Sequence, residues 1–152
     1  MKRHLLALSL GIFASFPAIG SADQPGLEVE QAWSRASMGN DRPGVAYMVV
    51  RNTGSETRTL IGAKTDIAMM PQIHRTTTGA SGVSQMAPAG DIEIQPGAEI
   101  ALEPGGLHIM LMKLTQPLIE GESYGLTLLF KNGHDFEVSV PILSPTARNA
   151  NP

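Results

Sequence analysis

The chain has 152 residues, 16% of them charged and 42% hydrophobic, with 14 acidic residues against 11 basic ones. That describes one folded domain with no basic stripe, so no nucleic-acid partner is expected. Cysteine is absent, which excludes disulfides, zinc–thiolate and iron–sulfur sites, a Cys nucleophile and a blue-copper centre with its Cys ligand. Residues 1–22 pair a basic start (Lys2, Arg3) with an apolar run from Leu5 to Phe16 and the small residues Gly20-Ser21-Ala22. This reads as a secretory signal peptide cut near Ala22, its apolar run well short of the ~20 residues that span a bilayer. No Cys follows it, so no lipoprotein anchor is expected, and no membrane span after cleavage. The mature chain then carries 9 basic and 14 acidic residues.

Beyond it the chain reads as short strands separated by turns. Leu27–Trp33 alternates apolar and polar residues, Ser37–Pro43 is a polar loop, and Gly44–Asn52 is rich in β-formers before the turn Thr53-Gly54-Ser55. Thr59–Lys64 is a short strand. Gln72–Thr78 and Val83–Ala87 read as a hairpin across Gly79-Ala80-Ser81-Gly82. Asp91–Gln95 and Ala98–Glu103 end in Pro96-Gly97 and Pro104-Gly105-Gly106, and Leu107–Leu114 is the most apolar segment. Tyr124–Lys131 and Asp135–Ile142 flank Asn132-Gly133, a strong hairpin signal. No segment carries a helical period. An all-β fold follows, two antiparallel sheets packed face to face, with residues 23–143 as the domain and 144–152 as a flexible tail.

The acidic residues fall on the polar positions of strands or in turns, where solvated faces account for them. Neither a Gly-x-Ser-x-Gly elbow nor a glycine-rich phosphate loop before a helix is present, so no catalytic residue is nominated and the protein is not expected to be an enzyme. His134, in Asn132-Gly133-His134-Asp135, reads as a solvated turn residue. The informative segment runs from Met69 to Met112: it holds Met69, Met70, His74, Met86, His108, Met110 and Met112, five of the eight methionines in 44 residues. His108 and Met110 stand two apart on one strand and share a face, while Leu107, Ile109 and Leu111 supply the core on the other. Singly, each Met is a gap-filler and each His a satisfied polar neighbour. Jointly they suit a soft metal: thioether sulfur is neutral and favours Cu(I) over Zn(II), Mg(II) or Ca(II), and imidazole adds affinity. The competing reading is a non-metal structural or adhesion sandwich of the cell envelope, its methionines serving as edge packing.

These residues resemble the signature of the PCuAC-type periplasmic copper chaperones: a His usually followed directly or closely by a Met, a ten-residue gap, a Met, a 21-residue gap and His-x-Met. Here His74-Arg75 is followed by ten residues (Thr76 to Gln85), then Met86; Ala87 to Leu107 is 21 residues, and His108-Ile109-Met110 closes the motif. The run Pro104-Gly-Gly-Leu-His-Ile-Met-Leu-Met112 also looks like that family's most recognisable stretch. The resemblance implies a Greek-key, cupredoxin-like β-sandwich holding Cu(I) near its surface through His74, Met86, His108 and Met110. It implies a periplasmic carrier that delivers copper to an acceptor such as the dinuclear copper subunit of cytochrome c oxidase or another copper chaperone. Arg75, Thr76 and Ser84 stand where family members often have further methionines, and the tail has neither His nor Met, so auxiliary sulfur ligands and a Cu(II) site in the tail are not expected. A shared site also constrains the first hairpin: His74 opposite Met86 would leave Gly79-Ala80-Ser81 as the loop, whereas a slip of one residue would turn His74 to the other face.

Overall fold

The computed structural model describes residues 26–150, so the signal-peptide reading of residues 1–22 lies outside the described residues. The described chain forms ten strands and no helix: β1 (Leu27–Arg35), β2 (Gly44–Asn52), β3 (Arg58–Lys64), β4 (Ala68–Thr78), β5 (Ser84–Pro88), β6 (Ile92–Ile94), β7 (Glu99–Leu102), β8 (Leu107–Leu114), β9 (Ser123–Phe130) and β10 (Phe136–Leu143). They hydrogen-bond in the order β5-β4-β8-β7-β2-β1-β10-β9-β3-β6. The ribbon folds over at the short parallel pair β1–β10, Ser34↔Ile142 and Arg35↔Leu143. Strands β5 to β1 make one layer and β10 to β6 the other. This is the all-β sandwich expected from the alternating segments. Between the layers lie Met48, Val50, Ile73, Ile109 and Leu111 from the first sheet and Leu60, Leu126, Leu128, Phe130 and Val140 from the second.

Strand β4 starts at Ala68, four residues before the segment expected from sequence, because Pro71 hides its beginning. Proline is tolerated there for a geometric reason. Ala89 donates its N–H to the Ile73 carbonyl, so residues 71 and 73 turn their backbone groups towards the β5 side. Strand β5 pairs with β4 only from His74 onward. The missing N–H of Pro71 therefore faces an open edge and costs no ladder bond.

A β-bulge decides what covers the outside of the first sheet. The β1–β2 register runs from Leu27↔Asn52 to Glu30↔Val49, then resumes at Trp33↔Tyr47 with one extra residue in β1. Gln31 takes the left-handed φ of 52° that accommodates it. Plain alternation would put Trp33 on the same side as Leu27; the bulge reverses its side and sets it beside Tyr47 on the outer face. The two rings stack with centroids 4.6 Å apart, and the Arg35 guanidinium lies 5.4 Å from the Trp33 centroid. An exposed Trp–Tyr pair needs a cover, and residues 144–150 supply it. Ala147 is buried against both rings, and Arg35 Nε donates to its carbonyl at 2.7 Å. The tail expected from its polarity to be loose is thus packed as far as the described residues extend, and the bulge at Gln31 is the physical reason.

Asn52, fully buried at the end of β2, shows how the turns are tied to the core. Its Nδ2 donates to the Glu56 carbonyl (2.7 Å) and the Ile94 carbonyl (2.8 Å), and its Oδ1 accepts from Gly54 N–H (3.0 Å). Asn52→Ala strands at least the buried Ile94 carbonyl, so a loss of about 2 kcal/mol is expected. The urea midpoint should fall with an unchanged m-value; a midpoint equal to the parent's would show that water replaces the amide without cost.

Candidate metal centre

The antiparallel β4–β8 register is unbroken over the central rungs and sets His74 directly opposite His108, Gln72 opposite Met110 and Met70 opposite Met112. Ile73↔Ile109 and Pro71↔Leu111 alternate with these rungs and point to the core side. The His and Met side chains therefore share the outer face, as the i, i+2 spacing of His108 and Met110 requires. The two imidazole centroids are 6.1 Å apart with their planes tilted by 50°.

Met86 reaches the same face by a register that differs from expectation. The hairpin pairs Thr76↔Met86 and His74↔Pro88, with Thr78↔Ser84 as the last rung. The loop is Gly79–Val83 rather than Gly79–Ser81, so His74 does not oppose Met86. Gly82 adopts φ +78° and donates to the Gly79 carbonyl, closing a turn that takes up two more residues. Only glycine holds that backbone without strain. A shift of two residues preserves the face, so Met86 lies diagonal to His74 on the same side, where side chains two positions away remain within reach of long residues.

Burial across the face follows strand position. His108 is buried at 4% exposure because β8 is interior, with β4 on one side and β2 on the other. The β2–β8 register (Val45↔Met110, Ala46↔Ile109) brings Tyr47 into the row of His108. Met110 and His74 are half-buried, and Met86, on the edge strand β5, is 52% exposed. The site is closed at the back by His108 and open at the hairpin.

Both rings are oriented by acceptors that the sequence reading did not name. His108 Nδ1 lies 3.1 Å from the Gly106 carbonyl oxygen, which can only accept, so Nδ1 carries the proton and Nε2 the free lone pair. His74 Nε2 lies 3.0 Å from Gln72 Oε1. With Nε2 donating there, Nδ1 is the lone-pair atom, and that atom is buried with no hydrogen-bond partner. A buried polar atom left unmatched costs free energy in the absence of a ligand. Burial first, and the neighbouring His108 second, push the His74 pKa below its ordinary 6.5, so the ring is held neutral near pH 7. Gln72 shares the face of His74 by parity alone, a signal that could have singled it out.

On β4, β5 and β8 the other outward residues around the His pair are uncharged: Met70, Gln72, Thr76, Thr78, Ser84, Pro88 and Met112. Among the described residues no group of three or more His, Cys, Asp or Glu side chains converges on one point. Hard cations, which demand oxygen ligands, find no cage here; a soft monovalent ion finds neutral nitrogen and sulfur donors in a partly apolar setting. His134 is not brought to this face. It sits at the exposed tip between β9 and β10, on the other sheet, as the hairpin reading expected.

Residues 27–142 match the model of the family described as "Putative lipoprotein LpqE-like". The chain belongs to the LpqE-like family. A relative in it, "Putative lipoprotein Lxx21020" of Leifsonia xyli subsp. xyli, is 34% identical over 126 residues, covering 83% of this chain and 75% of that protein. Among solved structures, the copper-bound PCuAC domain from PmoF2 matches with a TM-score of 0.68 and 22% identity, over 84% of this chain and 100% of that one. The solution structure of Cu(I)-DR1885 from Deinococcus radiodurans matches with a TM-score of 0.59 and 28% identity, over 82% and 83%. This LpqE-like chain therefore has the sandwich of PCuAC domains, in agreement with the resemblance carried by His74, Met86, His108 and Met110.

Proposed function

We propose that this protein is a copper chaperone of the cell envelope that binds Cu(I) through His74, Met86, His108 and Met110 and hands it to another protein. The single observation that carries this is the directly opposed pair His74–His108, with an unpartnered buried lone pair on His74 Nδ1, on a sheet face whose other soft donors are thioethers. The copper-bound and Cu(I) states named for two structural neighbours support the choice of ion. Copper is cargo here, not a cofactor for turnover, and the reading is of a carrier rather than an enzyme.

Four neutral donors leave a Cu(I) site with a net charge of +1, which a half-apolar sheet face tolerates better than the +2 of Cu(II). Each imidazole is held in its ligating tautomer by a hydrogen bond to its other nitrogen, the usual outer support of a metal-bound His. The gradient of burial suits transfer. His108 is the anchored donor, whereas Met86 on the exposed edge can be displaced first by an incoming ligand of the acceptor. The acceptor is read as a copper protein such as the dinuclear copper subunit of cytochrome c oxidase or another chaperone, with the acidic mature surface steering the encounter. The lipoprotein names of the family support an envelope-associated role, and the signal-like residues 1–22 favour the periplasm as its compartment in this reading.

Met→Leu exchange tests the sulfur donors while keeping volume and apolarity, at a fold cost below ~1.5 kcal/mol. Met86→Leu and Met110→Leu should each weaken Cu(I) binding at every pH, because thioether does not titrate. Competition titration against a chromophoric Cu(I) chelator reads the effect. Parent-like affinity in both variants would remove the thioethers from the site even in a copper carrier, whereas a parent that binds no stoichiometric Cu(I) would favour the rival reading, a non-metal structural sandwich. His134→Ala should leave copper binding unchanged.

A further inference from the structure

We infer that Met70 and Met112, directly opposite each other one rung beyond Met110, form a second, all-thioether site for Cu(I), contiguous with the His pair through Met110. The inference rests on the Cu(I) reading of the His pair for its ion, and on independent geometry for its place. The β4–β8 ladder gives three successive outward rungs: His74↔His108, Gln72↔Met110 and Met70↔Met112. Directly opposed side chains have Cβ atoms about 5 Å apart, and neighbouring rungs on one face about 7 Å, spans that flexible Met side chains close. Core packing does not account for this pair. The rung faces outward, Met70 is 48% exposed and Met112 half-buried, while Ile109 and Leu111 already fill the core from β8. A solvent-facing strand position ordinarily carries a polar residue, yet both members of this rung are thioethers and the next rung adds Met110. Val45, paired with Met110 from the β2 side, keeps the surroundings apolar and uncharged. Two or three neutral sulfurs in such a setting select a soft d10 monocation, and their lone pairs meet no proton competition.

The expected behaviour is a weaker second site that fills after the first and differs from it in pH response. The test uses the full mature chain with 13C-labelled methionine ε-methyl groups, titrated with Ag(I) as an air-stable stand-in for Cu(I) and then with Cu(I) itself. The first equivalent should shift Met86 and Met110, and the second should shift Met70 and Met112. At pH 5 the Met70 and Met112 shifts should persist while occupancy of the His pair declines. In the Met70→Leu/Met112→Leu protein the second equivalent should no longer bind, with the first retained. In His74→Ala/His108→Ala, checked for folding by its amide spectrum, the ion should still move Met70 and Met112. If Met86 and Met110 respond in the parent and Met70 and Met112 stay unmoved at two equivalents, the second site is refuted and the primary reading stands. If no methionine responds, both fall. Response of Met70 and Met112 alone would uphold this site and overturn the primary one.

Discussion

Replacing His108 with Ala is expected to abolish tight Cu(I) binding, with the affinity falling by more than about 100-fold, since losing even an outer-shell partner of a metal ligand costs 10–100-fold. His108 should be the most damaging of the four candidate donors. It is the buried member of the set, on an interior strand, and its Nδ1 bond to the Gly106 carbonyl fixes Nε2 as the donor. His74→Ala should lose nearly as much, because it removes the opposed ring and its buried Nδ1. Gln72→Leu should lose less, through the tautomer and orientation of His74 rather than a direct bond. Competition titrations on the apo proteins check this order. An equal, small loss in all three variants would mean that the rings are not donors.

Copper affinity is also expected to fall as the pH drops, and the direction follows from the imidazoles alone. A ligating His must be neutral, so protons compete with the ion once the pH falls below its pKa, by roughly tenfold per pH unit for each protonated ring. His74 resists that competition longer than a free imidazole, because burial and His108 lower its pKa from 6.5. The same shift acts on the apo fold with a definite sign. Just below pH 6.5 the unfolded chain takes up a proton at His74 more readily than the native one. The contribution of this residue therefore favours the native state less as the pH falls from ~6.5, and the loss levels off below the lowered native value. Copper affinity should thus hold above neutrality and decline towards pH 5, and the His74→Ala/His108→Ala protein should show a weak, flat profile. Affinity that rises with acidity in the parent would contradict imidazole ligation.

Much of this was legible in the chain because strands alternate with a period of two. His108 and Met110 had to share a face, and Leu107, Ile109 and Leu111 had to take the other, whatever the tertiary context. The register of the first hairpin was less accessible. Its loop length depends on Gly82 taking a positive φ, and Gly79-Ala80-Ser81-Gly82 permits several turns. The alternation survived only because the slip was of two residues, not one. The side taken by Trp33 and the packing of residues 144–150 were out of reach together for a local reason: nothing in Leu27–Trp33 announces an extra residue at Gln31, and without that bulge the Trp side chain points to the core and residues 144–150 have nothing to cover. The start of β4 was hidden by Pro71, whose tolerance depends on where β5 ends, a tertiary fact. The orienting acceptors Gln72 Oε1 and Gly106 O stand two residues before their rings, so parity pointed towards them, but that they accept from the imidazoles is seen only in the fold.

The central claim is that one Cu(I) ion is bound by both imidazoles and by thioether sulfur on the outer face of β4, β5 and β8. X-ray absorption at the copper edge of the mature protein loaded with one equivalent of Cu(I) addresses it most directly. The account predicts a Cu(I) edge with two imidazole nitrogens and two sulfur scatterers per copper, and a loss of one nitrogen in His74→Ala and of one sulfur in Met86→Leu. A copper shell without sulfur, or a chain that fails to retain one equivalent of Cu(I) through buffer exchange, would contradict it.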